Sequence, residues 1–154
     1  MKTDRGLIRR VRYDEIERIG ALIRNTLLIS NSLDYDMSVI QNLSRQYTAG
    51  NVRDMAMRRK MFVHLTDDVA DGTVSLKEDT IYAFFVAPDR QRNGIGTRLL
   101  LFVEKLVKES GMRVIKVDAS ITAKGFYAKN GYKTTAKEKN NSYGLVYTME
   151  KKLT

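Results

Sequence analysis

The sequence predicts a mixed α/β fold built on one sheet, and three observations carry that expectation. Met61–Leu65, Thr73–Leu76 and Ile81–Val86 are short apolar runs separated by polar turns, the pattern of an antiparallel meander. Ile95, Leu99, Phe102, Val103, Leu106 and Val107 recur at helical spacing and precede the apolar run Val114–Ala119. That is a strand–helix–strand unit, whose two strands should run parallel. Lys133–Thr135 and Leu145–Met149 then close the chain as a hairpin around Asn140-Asn141.

The remaining elements follow in order. Leu7–Val11 is apolar with an arginine pair and reads as an opening strand; Asp14 is placed to cap a helix carrying Ile16, Ile19, Leu22, Ile23, Thr26 and Leu27. Asn31–Asp36 reads as a loop, and Met37–Met57 as one or two helices broken at Gly50-Asn51. The helix after Pro88 should end at Ser110-Gly111, where glycine suits a left-handed cap. The apolar density of Val114–Ala119 suggests burial on both faces, and Ile121–Asn130 reads as the last helix. No repeat, low-complexity tract or linker divides the chain, so residues 1–154 are read as a single domain.

At 154 residues, 43% hydrophobic and 29% charged, the chain can bury a core without staples and is too apolar to stay disordered. Cysteine is absent and His64 is the only histidine, which excludes disulfide frameworks, thiol nucleophiles, thiolate zinc sites and histidine-rich metal clusters. His64 itself, in Met-Phe-Val-His-Leu, reads as a core or edge-strand histidine more readily than as a base. The longest apolar run, Ile81–Ala87, is far too short to span a bilayer and the basic opening residues have no signal-peptide core behind them. A cytoplasmic protein without a membrane partner is expected.

The net charge of +9 invites a polyanion: nucleic acid, a phosphorylated cofactor or an anionic surface. It is unevenly spread. Residues 61–86 carry a net −4, from Asp67, Asp68, Asp71, Glu78 and Asp79 against Lys77, and Arg90, Arg92 and Arg98 crowd the stretch that follows. Solvated turns account for the acidic segment, with a surface attracting cationic substrates as the sharper alternative.

Val86–Arg98 joins a strand to an amphipathic helix, whose first N–H groups lack intrahelical acceptors and whose dipole favours an anion. Gly94 and Gly96 would let a ligand approach that backbone, and the three arginines would add charge, so a pyrophosphate fits there. The Gly-Lys-Ser/Thr of a P-loop is missing, and the third glycine of a dinucleotide fingerprint is replaced by Leu99.

Gln91-Arg92-Asn93-Gly94-Ile95-Gly96 resembles the Gln/Arg-x-x-Gly-x-Gly/Ala acetyl-CoA loop of the GCN5-related N-acetyltransferase (GNAT) superfamily. Ala123 followed by Phe126-Tyr127-Ala128-Lys129-Asn130-Gly131-Tyr132 is similar to that family's second cofactor segment, and the match spans roughly residues 60–135. The resemblance implies a GNAT-like fold and direct transfer of an acetyl group from acetyl-CoA to a primary amine. It implies that backbone groups of Phe84, Phe85 and Val86 hold the pantetheine arm. It further implies that Gln91, Arg92, Asn93, Gly94, Ile95, Gly96 and Thr97 hold the pyrophosphate, with Arg90, Arg92 or Arg98 near the phosphates. Tyr127 aligns with the tyrosine that faces the thioester sulfur as general acid, its alternative being a packing aromatic beside Phe126 and Tyr132. Ser120 stands where the family often has a cofactor-contacting asparagine. Thr80 stands where many relatives carry a glutamate base, which leaves the adjacent Glu78 and Asp79 as candidate bases.

In this family Asn31–Met57 would shape the acceptor cleft, with Asp34, Tyr35 and Asp36 placed to greet an amine. The acceptor itself is a small-molecule or peptide amine. The competing reading is a GNAT-like regulatory or nucleic-acid-binding module without catalysis. Tyr143 and Tyr147 alternate with small residues as on a sheet face rather than a base-stacking platform, so nucleic acid is disfavoured. A homodimer is compatible with the sequence.

Overall fold

Alternation of apolar and polar residues sets the strands, and turn chemistry sets their order. The computed structural model describes residues 6–154. Its strands are β1 (Leu7–Arg10), β2 (Lys60–Thr66), β3 (Val69–Lys77), β4 (Thr80–Val86), β5 (Val114–Ser120), β6 (Lys133–Asn140) and β7 (Gly144–Lys152). The helices are α1 (Ile16–Ile29), α2 (Met37–Arg45), α3 (Ala49–Arg58), α4 (Ile95–Glu109) and α5 (Ile121–Lys129). All seven strands form one mixed sheet in the order β1-β2-β3-β4-β5-β7-β6. Every pairing is antiparallel except β4 with β5. The expected meander, strand–helix–strand unit and closing hairpin are all present.

The two faces of the sheet carry separate cores. On one, Leu99, Leu100, Val103 and Val107 of α4 meet Val74, Ile81, Ile115 and Val117, with Tyr127 of α5 in the same cluster. On the other, Ile16, Ile19, Ile23 and Leu27 of α1 meet Val52, Met61 and Val63, with Ile40 of α2. Gly72 permits the close approach of α4 to β3: a Cβ there would lie 2.9 Å from Leu99 Cδ1 and 3.0 Å from Ile95 Cγ2. Asp67 and Asp68 both adopt left-handed backbone, at φ 50° and 63°, as a two-residue hairpin turn requires. The acidic character of that turn therefore has a conformational origin.

Four local expectations are corrected. Asp14 does not cap α1: Tyr13–Glu15 form a 3₁₀ turn, and the Glu15 carboxylate accepts from the Arg12 amide (2.8 Å) while pairing with Arg9 (2.8 Å). The break between α2 and α3 lies before Ala49, because the Thr48 hydroxyl caps α3 by accepting from the Asn51 amide (3.3 Å) and draws Gly50-Asn51 into the helix. β5 is buried on one face only: Ile115, Val117 and Ala119 are buried, whereas Lys116 and Asp118 are exposed. The hairpin strand expected at Lys133–Thr135 continues to Asn140.

β4 and β5 are in register at only two positions, Thr80 with Lys116 and Ile81 with Val117. β4 carries one extra residue relative to β3, since Tyr82 faces Ser75 while Phe85 faces Thr73, and Ala83 sits in that bulge at φ 46°. A bulge bends and twists its strand. Past it β4 stays with β3 as far as Val86, β5 stays with β7 as far as Ser120, and the sheet opens between them.

Candidate active site

The opening between β4 and β5 is a cleft of about 900 Å³. Its walls are Tyr82–Val86 and Val117–Ser120, whose facing edges have no ladder partner beyond Ile81 and Val117. An unpaired strand edge offers N–H and C=O groups to any extended polar chain laid beside it. At one mouth lies the loop 91–97. Arg92 (φ 68°) and Gly94 (φ 79°) take left-handed backbone, and the first intrahelical donor of α4 is the Arg98 amide, bonded to Gly94 O at 3.0 Å. The amides of Ile95, Gly96 and Thr97 precede it and are left uncommitted by the helix, which makes this end an anion site.

The two glycines serve different ends. Gly94 supplies the positive φ, whereas a Cβ on Gly96 would lie 3.3 Å from the Phe126 ring. Gly96 is thus what lets the first turn of α4 rest on α5. Gln91 and Asn93 act as props: Gln91 Nε2 donates to Val86 O (3.1 Å) and Ser30 Oγ (3.2 Å), and Asn93 Nδ2 donates to Arg90 O (3.1 Å). Ile95 is buried under the helix.

Tyr127 lies in the floor of the cleft, 3% exposed, with its ring edge-on to Phe84 (6.1 Å), Phe126 (5.3 Å) and Tyr132 (5.4 Å). Burial drives its pKa well above that of an ordinary phenol, so it stays protonated. Tyr132 is tied differently: its hydroxyl donates to Glu104 Oε2 (2.7 Å), and Lys151 Nζ pairs with Glu104 Oε1 (3.1 Å), binding α4 to β7. Ser120 caps α5, its Oγ accepting from the Ala123 amide at 3.1 Å. Phe84 faces α5, while Phe85 faces the other layer and meets Tyr47 edge-on at 5.7 Å.

Several residues singled out in the sequence lie elsewhere. Glu78 and Asp79 form the turn at the opposite end of β4, Glu78 at φ 55° and Asp79 paired with Lys116 at 3.6 Å; neither lines the cleft. Arg98 is not among the residues lining the cleft, although its Nη1 would lie 3.7 Å from a Cβ on Gly94. Its Nε donates to His64 Nε2 (3.3 Å), and His64 Nδ1 lies 2.6 Å from Asp71 Oδ1, so the buried His64 links β3 to the first turn of α4. Arg92 is the one arginine of the loop that lines the cleft. Asp34 is occupied, its Oδ2 accepting from Thr122 Oγ1 at 2.7 Å, and Tyr35 bridges Leu145 O and the Ile121 amide, each at 2.7 Å. The segment before α2 is therefore a roof fastened over the cleft.

The family model for the GNAT acetyltransferase domain matches residues 34–153. The chain belongs to the GNAT acetyltransferases. Among its relatives is the peptidyl-lysine N-acetyltransferase YjaB of Salmonella typhimurium strain LT2, 28% identical over 92% of this chain and 93% of that protein. The crystal structure of a GCN5-related N-acetyltransferase from Rhodopseudomonas palustris shares the fold at a TM-score of 0.92, with 23% identity over 99% of each chain. The PaiA N-acetyltransferase of Thermoplasma acidophilum, crystallised with coenzyme A, shares it at a TM-score of 0.78, with 20% identity over 96% of this chain and 98% of that one.

Against the GNAT fold, two charged residues emerge that the sequence did not single out. Asp118 is the only carboxylate among the described residues lining the cleft, and Arg59, at the end of α3, lies over the Tyr82 ring at 4.0 Å. Neither is legible from local pattern: Arg59 sits in the basic run Arg58-Arg59-Lys60, and Asp118 in an apolar strand. No described helix is long and apolar enough to cross a membrane.

Proposed function

We propose that this GNAT protein transfers an acetyl group from acetyl-CoA directly to a primary amine. The observation that carries the reading is the splay of β4 from β5, with uncommitted helix amides at one mouth and a buried tyrosine in the floor. The free edge of β4 at Phe84, Phe85 and Val86 fits an amide-bearing pantetheine arm, although Val86 O already receives the Gln91 side chain. The Gln91–Thr97 backbone and Arg92 fit a pyrophosphate.

When bound, acetyl-CoA supplies an activated acyl thioester. The amine nitrogen bonds the acyl carbon as the C–S bond breaks; one proton leaves the nitrogen and one reaches the sulfur. Tyr127 faces the sulfur in this reading. Its pKa, raised by burial, exceeds the roughly 8.5 of a thiol, so the phenol stabilises the departing thiolate chiefly by donating a hydrogen bond. An amine of pKa near 10.4 is neutral in only about one molecule per thousand near pH 7.4, so a proton acceptor is needed. Asp118, lining the cleft with Oδ1 held by Thr148 Oγ1 (2.9 Å), takes that role in place of Glu78 and Asp79.

Calorimetric titration with acetyl-CoA tests the donor, and absence of binding at high micromolar ligand would overturn it. Asp118→Asn should lower kcat with the acetyl-CoA Kd little altered; an unaltered kcat would remove Asp118 from the mechanism.

A further inference from the structure

β4 divides the cleft. Phe84 and Tyr127 face the α4–α5 layer with the phosphate loop, whereas Tyr82 and Phe85 face the layer of α1, α2 and α3. On the proposed transfer reading the second half receives the acceptor. Its lining is largely apolar and aromatic, with Leu27, Leu43, Tyr47, Met55, Tyr82 and Tyr143, beside the neutral polar side chains of Ser30, Asn31 and Gln46.

One group contributed by these helices is charged. Arg59 is half-buried among these side chains, stacked on Tyr82 at 4.0 Å and near enough to Tyr47 for its charge to oppose the upward push of burial on that phenol. No ion pair or hydrogen bond of its guanidinium to a described residue is present. Asp118, the one carboxylate of the cleft, is engaged by Thr148. A guanidinium removed from bulk water without a carboxylate partner is a ready receptor for one. The same charge repels a polycationic acceptor.

The roof limits size. Tyr35 to Leu145 and Ile121, Asp34 to Thr122, Asn42 to Ser142 (2.9 Å) and Gln91 to Ser30 fasten the α1–α2 segment across the cleft. We infer that the acceptor is a compact amine bearing a carboxylate and an apolar or aromatic body, an amino acid in type, and that Arg59 selects it by pairing with the carboxylate while the tyrosines take the body.

The test uses the full chain with acetyl-CoA and matched acceptors that differ only in the carboxylate: phenylalanine against phenethylamine, and leucine against isoamylamine. Release of the coenzyme thiol gives kcat/KM, and calorimetry gives the Kd of acetyl-CoA separately. The carboxylate should raise kcat/KM by about tenfold or more. Arg59→Met should abolish that preference, Arg59→Lys should keep part of it, and the acetyl-CoA Kd should hold in both variants. Equal or better use of the decarboxylated amines overturns the inference, as does a preference that survives Arg59→Met. So does failure of phenylalanine either to react with or to bind the coenzyme-loaded protein. Failure of acetyl-CoA itself to bind is a different result and overturns the donor assignment instead.

Discussion

At the scale of single residues, the site depends on groups whose surroundings decide what they can do. Tyr127 is a phenol in an aromatic box, and its packing and its proposed chemistry are separable by one atom. Tyr127→Phe keeps the ring contacts and removes the hydroxyl; kcat should fall about 100-fold with the acetyl-CoA Kd little altered, as steady-state kinetics and calorimetry would show. Unchanged kcat would reduce Tyr127 to packing. Glu15 offers a case without chemistry. Its hydrogen bonds from Arg9, with help from the Arg12 amide, lower its pKa from an ordinary 4.5 to about 2. A depressed carboxyl pKa contributes stability that is present above the unfolded pKa and lost as pH falls through the folded one. Glu15→Gln should therefore cost about 1–3 kcal/mol at neutral pH in urea unfolding, and the difference should shrink between pH 4.5 and 2.

At the scale of elements, two ties hold the machinery. His64, Asp71 and Arg98 join β2 and β3 to the first turn of α4, beside the glycine loop. Asp71→Asn weakens that tie; about 1–3 kcal/mol of stability should be lost, with a weaker acetyl-CoA Kd, because the loop is set by the helix that follows it. The other tie is the roof. Gly144 has φ 79°, and a Cβ there would meet the Tyr35 ring at 2.6 Å. Gly144→Ala should lower the thermal midpoint and raise KM for the acceptor more than for acetyl-CoA, because the strain falls on the acceptor side. Equal change in both constants would argue against a roof over one half.

For the whole molecule, the cleft is where the single sheet opens between β4 and β5. Only two residue pairs join β4 to β5. A ligand laid along both edges should stabilise the fold: acetyl-CoA at about 100 times its Kd adds about 2.7 kcal/mol, a rise of roughly 5–10 °C in Tm by scanning calorimetry. The charge of +9 is resolved at this scale as well. Arg92 lines the mouth of the cleft beside the glycine loop and Arg59 the half beneath α1–α3, while the acidic run before the loop is spent on turns and on Asp71's bond to His64. The charge that α3 brings to the cleft is a guanidinium, not one of the carboxylates of that acidic run.

The meander, the parallel unit, the closing hairpin and both family motifs were determined by the sequence itself, because periodicity, turn residues and a glycine-rich helix start act over a few residues. Gly94 could be recognised as special for the same local reason. Only tertiary structure decided that Gly96 packs against Phe126, that Arg98 Nε reaches His64, and that Glu78 and Asp79 stand at the end of β4 away from the cleft. Each depends on which face a bulge, a crossover or a packed helix presents. Arg59 belongs with these: in the chain it is one of three consecutive basic residues, and it comes to stack on Tyr82 with no ion-pair partner among the described residues because α3 ends beside β4, where a single extra residue has turned the strand away from its neighbour.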